Sequence, residues 1–152
     1  MPDYKRVLCP VDFSEPSQTG LKEAIDMASR FSAELIVLHV VPPVPVTAFP
    51  QVSPAFDVGS YRTELTKSAD EKLAKLVKER VPETVRVRPL AAMGEPAYQI
   101  IETAQSEDVD LIVLATHGES GWHRFLFGSV AEMVVRKATC PVMTIPKPTS
   151  ES

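Results

Sequence analysis

The residues best suited to chemistry lie together in Ala115-Thr116-His117-Gly118-Glu119-Ser120-Gly121-Trp122-His123-Arg124-Phe125-Leu126-Phe127-Gly128-Ser129. The chain holds only 6 glycines against 14 prolines, and Gly118, Gly121 and Gly128 share one eleven-residue window. A glycine cluster between a buried strand and a helix lets the main chain approach a ligand without a Cβ in the way. A helix opening at Ser129 adds unpaired N–H groups and the positive end of its dipole, which together suit a phosphate. His123 and Arg124 would add positive charge nearby. The spacing is neither GxxxxGK[ST] nor GxGxxG, because six residues separate Gly121 from Gly128 and no lysine follows.

Other candidates have structural roles that compete with functional ones. Ser129-x-x-Glu132 reads as a capping box, which stabilises a helix start with no ligand present. Asp12, just after an apolar run, suits either an Asx turn or a ligand hydroxyl, and the two are compatible. His39 interrupts a buried strand and reads as a satisfied imidazole. With no HExxH and no acidic partner at helical spacing, His117 and His123 do not read as a metal site. Trp122, Phe125, Leu126 and Phe127 read as packing for the loop. Ser14, Ser120 and Ser129 have no recognisable activating base and GxSxG is absent, so an efficient hydrolase is not expected.

These residues must be positioned by the surrounding elements. Apolar runs at Lys5–Val11, Glu34–Val41, Thr84–Ala92, Val109–Ala115 and Pro141–Ile145 predict five strands. Pro89 marks the third as a sheet edge. Helices are predicted between them. Leu21, Ala24, Ile25 and Ala28 stripe the first, with Ser14 or Glu15 as cap and Pro16 in its first turn. Leu65, Ala69, Leu73, Leu76 and Val77 stripe the second. Ala97, Ile100, Ile101 and Ala104 stripe the third, and Ser129 to Ala138 form the fourth. A proline-rich connection fills Pro42 to Ser60. The fold class is therefore α/β, a single doubly wound five-stranded parallel sheet with helices on both faces. In the order 3-2-1-4-5 the winding reverses between strands 1 and 4, where open α/β sheets bind ligands. The loops flanking that switch are Pro10–Ser14 and the glycine segment.

With these elements in place, the chain resembles the universal stress protein family. Its ATP-binding members carry G-x2-G-x9-G-[ST], matched by Ala115, Gly118, Gly128 and Ser129 with nine residues between the last two glycines. The resemblance also includes Val7-Leu8-Cys9-Pro10-Val11-Asp12-Phe13-Ser14, Leu38-His39-Val40, Gly94-Glu95-Pro96-Ala97, Gly128-Ser129-Val130-Ala131-Glu132 and Cys140-Pro141-Val142. It implies the adenine nucleotide alpha hydrolase-like arrangement, with ATP, or AMP or ADP, as ligand. Pro10, Val11 and Asp12 would then lie along the adenosine, with Asp12 toward the ribose and Val40 against the adenine. Gly118, Gly128, Ser129 and Val130 would hold the phosphates, with Mg²⁺ or Mn²⁺ shared between phosphates and water, and Ala115 would belong to the same nucleotide-binding set. Ala115 stands where the motif has glycine. A negative φ would make the methyl nearly free, whereas a positive φ would cost about 1–2 kcal/mol. The resemblance further implies a homodimer paired through the edge strand Val142, Met143, Thr144 and Ile145, an edge of the kind that invites such pairing.

The totals exclude other classes. A net charge of −4 and a pI near 5.4 argue against holding a nucleic acid backbone. The uncharged stretch Leu35 to Phe56 contains five prolines, so it is no membrane helix. Cys9 and Cys140 have no metal spacing and read as reduced thiols. Together with the absence of an export pattern at the N-terminus, they suggest a cytoplasmic protein. The expected organisation is one domain over 1–147 and a tail over 148–152. The expected function is a nucleotide-responsive stress protein. The alternatives are an interaction module of the same fold without nucleotide, and a weak ATPase.

Overall fold

The computed structural model describes residues 3–43, 57–116 and 128–146. Its strands are β1 (Arg6–Pro10), β2 (Glu34–Val41), β3 (Val87–Met93), β4 (Leu111–Ala115) and β5 (Val142–Ile145). The helices are α1 (Glu15–Phe31), α2 (Val58–Arg80), α3 (Pro96–Ser106) and α4 (Ser129–Lys137). All strand pairs are parallel, and the sheet order is β3-β2-β1-β4-β5, as expected. Each element matches its predicted span to within a few residues. The largest shift is in α2, which starts at Val58 inside the expected connection. Asp57 caps it by accepting from the Gly59 N–H at 3.0 Å and the Ser60 hydroxyl at 2.7 Å.

The alternation of side chains along the strands divides the core in two. Val7, Cys9, Leu35, Val37, Leu111 and Val113 face α1 and α2, meeting Leu21, Ala24, Ala28, Leu73 and Leu76. Leu8, Ile36, Leu38, Ile112 and Leu114 face α3 and α4, meeting Ile100, Ala104, Ala131 and Val134. The central strands are apolar throughout because both faces are covered. Pro89 sits in β3, at one edge of the sheet, where no neighbour needs its missing N–H.

The switch point opens for a reason encoded in β1. Strands β1 and β4 pair at Val7–Leu111 and Leu8–Ile112 and no further. Main-chain groups alternate sides along a strand, and the Val11 N–H donates to the Leu38 carbonyl of β2. Position 10 therefore faces β4, and Pro10 has no N–H to give. The ladder ends there, and the carboxyl ends of β1 and β4 part.

Charge gathers at the opposite end of the sheet. Arg88 bridges Glu107 at 2.6 Å and Glu34 at 3.1 Å, which holds the Glu107 carboxyl below its ordinary range. A cleft of about 360 Å³ lies there among Lys5, Arg6, Glu34, Arg86, Asp108 and Asp110. Three basic and three acidic residues cancel in it, and Asp110 already accepts from the Lys5 and Arg6 N–H groups. It is remote from the switch point and has no excess charge to offer a ligand. No helix among the described residues is long and apolar enough to cross a membrane.

Candidate functional site

Two turns leave the sheet at the switch point. The first, after β1, runs through Pro10, Val11 and Asp12 into α1. Asp12 makes the Asx turn: its Oδ1 accepts from the Ser14 N–H at 3.0 Å and also from the Ser14 hydroxyl. Ser14 in turn caps α1, accepting from the Ser17 N–H at 3.3 Å. The Ser17 hydroxyl donates to the Ser14 carbonyl at 3.0 Å and lies 3.4 Å from the Asp12 N–H. The N-terminus of α1 is thus occupied by the chain's own carboxylate and hydroxyls. Asp12 stays exposed, and among the described residues its Oδ2 has no partner.

The second turn leaves β4 at Ala115 and Thr116. The Thr116 N–H donates to the Ile145 carbonyl at 3.1 Å, which ties the strand end to β5. The Thr116 carbonyl accepts from the Gly128 N–H at 2.7 Å, so the glycine segment begins and ends at one point. Gly128 has φ −58°, which any residue can adopt. What it lacks is room, because a Cβ there would lie 3.1 Å from the Thr116 carbonyl oxygen.

Here the capping box expected at Ser129 is not formed. Gly128 is the N-cap and Ser129 the first helical residue, so no side chain caps α4. The reason is positional, since the closing bond from Gly128 to Thr116 sets the cap one residue earlier. The first main-chain bond into the helix runs from Glu132 N–H to Gly128 carbonyl. The N–H groups of Ser129, Val130 and Ala131 therefore have no intrahelical acceptor. Ser129 is exposed, whereas the Val130 side chain packs against the core beneath α3 and α4. Among the described residues the two helix starts at the switch point differ in this respect: α1 is filled and α4 is open.

Ala115 is free of backbone strain, because the non-glycine residues with positive φ among the described residues are Phe13, Ser32 and Asp108. Its methyl lies toward α1, where a Cβ built on Gly20 would come within 3.7 Å of it and 3.2 Å of the Ala115 nitrogen. Gly20 makes space for the strand end. Val40 lies near the end of β2, in the core face shared with α3 and α4, and is nearly buried. Val11 is in the core on the other face. The two valines therefore lie on opposite sides of the sheet. Gly118, Gly121, His117, Trp122, His123, Arg124 and Phe125 to Phe127 lie outside the described residues, as do 44–56 and the expected tail at 148–152.

Three residues around the first turn were not picked out as site residues from sequence. Ser17 and Phe13 carry no motif signal that would single them out. His39 has a half-buried ring hydrogen-bonded to the Val11 carbonyl at 2.8 Å, which fits its reading as a satisfied imidazole.

Comparison with known proteins agrees with this architecture. The family model described as "Universal stress protein family" matches residues 3–146. A universal stress protein of Methanocaldococcus jannaschii is 36% identical over 151 residues, covering 97% of this chain and 85% of the relative. A solved structure of another protein from that organism superposes with a TM-score of 0.83 at 28% identity, covering 98% of this chain and 100% of that one. UspA from Lactobacillus plantarum gives 0.77 at 28% identity, covering 95% and 99%. Two more distant structures share the fold. One is a universal stress protein in complex with cAMP, at 23% identity and TM-score 0.61, covering 97% and 100%. The other is from Archaeoglobus fulgidus in complex with dAMP, at 22% and 0.61, covering 95% and 99%. By its sequence match over nearly its whole length and by its fold, this chain belongs to the universal stress protein family.

Proposed function

We propose that this chain is a cytoplasmic stress-response protein that binds ATP, with AMP and ADP as related ligands, in the crevice between β1 and β4. The observation that carries the reading is the contrast between the two helix starts. The first turn of α4 offers three N–H groups with no acceptor among the described residues, whereas that of α1 is filled by Asp12, Ser14 and Ser17. An anion is favoured at α4 and disfavoured beside Asp12. A neutral hydroxyl donor suits the free Asp12 Oδ2. A nucleotide divides in the same way, with a polyanionic chain at one end and a ribose diol at the other.

On this reading Gly118, Gly128, Ser129 and Val130 hold the phosphates, and Ala115 lines the strand end beneath them. Asp12 takes the ribose, Pro10 and Val11 follow the adenosine, and Val40 lies toward the adenine. A Mg²⁺ or Mn²⁺ ion would enter with the phosphates. The unit is the domain 1–147, acting as a nucleotide-responsive homodimer through the edge strand β5. It binds rather than turns over, with at most slow hydrolysis. That two proteins of this fold hold cAMP and dAMP shows what the fold can accommodate, while the residues named here are this chain's own.

Isothermal titration of nucleotide-free protein with Mg-ATP tests the proposal. Binding tighter than about millimolar is expected, with a large loss in Gly118→Val, since a Cβ would stand between the loop and the phosphates. Binding weaker than that, unaffected by Gly118→Val, refutes it.

A further inference from the structure

The turn after β1 is held by a side chain that belongs to β2. The Val11 N–H continues the parallel ladder to the Leu38 carbonyl at 2.8 Å. A regular ladder would next bring the Val40 N–H to the Val11 carbonyl. That carbonyl instead meets His39 Nδ1 at 2.8 Å. A carbonyl only accepts, so Nδ1 carries the proton. The imidazole takes the place of the ladder, and β1 leaves the sheet at this residue.

Two residues on, Phe13 has φ 64°, a left-handed conformation that a bulky side chain seldom adopts. Such a residue persists where its surroundings over-determine it. Its ring lies on the His39 ring, with centroids 4.5 Å apart and planes tilted by 42°. One imidazole therefore fixes both ends of the pair Asp12–Phe13: the carbonyl before it by a hydrogen bond, and the aromatic ring after it by contact. Ser14 holds the Asp12 carboxylate from the α1 side, leaving Oδ2 free, and the Ser17 hydroxyl accepts from the Asp12 N–H.

We propose that His39 is a positioning residue for the nucleoside half of the site: it presets the left-handed turn at Phe13 that presents the free Asp12 oxygen. The inference rests on the nucleotide reading above and adds a residue outside the set placed against the ligand. It predicts a division of effect, since the polyphosphate half is built on α4 and β4, whereas both His39 contacts are to the turn after β1.

Titrations with Mg-ATP, adenosine and Mg-tripolyphosphate read that division. In His39→Leu, affinity for ATP and adenosine should fall about tenfold or more, the scale of one lost hydrogen bond and the order it imposes. Affinity for tripolyphosphate should stay within about twofold of wild type by the same scale. His39→Asn, whose amide N–H can stand where Nδ1–H stands, should recover most of the loss. Should His39→Leu fail to fold, Phe13→Ala removes the ring contact and reads the same division. Equal ATP affinity in wild type and His39→Leu overturns the positioning role alone, as does a parallel loss of tripolyphosphate binding. A wild-type chain that binds neither ATP nor adenosine overturns the functional reading and the positioning role with it.

Discussion

Replacing Gly128 with alanine tests the neck of the glycine segment, because its effects on folding and on binding should separate. Gly128 has φ −58° and ψ 154°, so a methyl costs no backbone strain. Reduced freedom of the unfolded chain favours alanine by about 0.4–1 kcal/mol. Against this, the new Cβ would lie 3.1 Å from the Thr116 carbonyl oxygen, some tenths of an ångström inside ordinary contact. That oxygen cannot swing away without losing the Gly128 N–H at 2.7 Å. Overpacking of this kind costs about 1–3 kcal/mol. The net loss is then about 1 kcal/mol, or about 2–4 °C in Tm for a chain of this size. The first turn of α4 must shift to relieve the contact, and its N–H groups are the proposed phosphate donors. Losing one charge-assisted bond of about 1.5–3 kcal/mol weakens binding by about 10- to 150-fold. Thermal unfolding without nucleotide and titration with Mg-ATP measure the two effects separately. A Tm lowered as expected with ATP affinity unchanged within twofold would refute the phosphate role of the α4 start.

Three further outcomes follow from the rest of the fold. The Ile145 and Pro141 carbonyls face β4, so by alternation the Thr144 N–H points to the open edge. Thr144→Pro should leave the fold intact and shift a dimer to monomer by light scattering; an unchanged dimer would refute pairing through β5. Burial pushes the Cys9 thiol up to about 12. Its contribution to stability is complete below about pH 9 and is lost between there and about pH 12, by up to about 1.4 kcal/mol per pH unit. Cys9→Ala should flatten that alkaline slope in denaturant titrations, and native Cys9 should resist thiol reagents that label it once the chain unfolds. Arg88 holds the Glu107 carboxyl below its usual range, so this pairing supports the fold above the ordinary carboxylate pKa and is lost as pH falls. Arg88→Met should therefore lower Tm by a few degrees at pH 7 and by less at pH 3.

Much of this architecture is legible in the chain itself. The apolar runs around Leu8, Ile36 and Ile112 state that both faces of their strands are covered, and Pro89 states an edge, because these depend on local residue type and period. The switch-point loops follow from the strand order. The start of α4 at Ser129 was legible, but its cap was misread. Ser129-x-x-Glu132 carries the local signature of a capping box, but a hydrogen bond between Gly128 and Thr116, twelve positions apart, sets the cap one residue earlier. The cost of Ala115 was likewise open in sequence, because a residue's letter does not give its φ; its backbone is unstrained and Gly20 leaves the methyl room in the fold.

The sequence by itself determined the element order, the two-sided core and the place where ligand chemistry concentrates, since these rest on periodicity and on where glycine and proline fall. Only the tertiary structure decided where the cap of α4 falls and that His39 takes the carbonyl at which β1 leaves the sheet. These are contacts between distant segments. They are settled when Pro10 ends the ladder to β4 and the strand ends part, and no local pattern of residues records them.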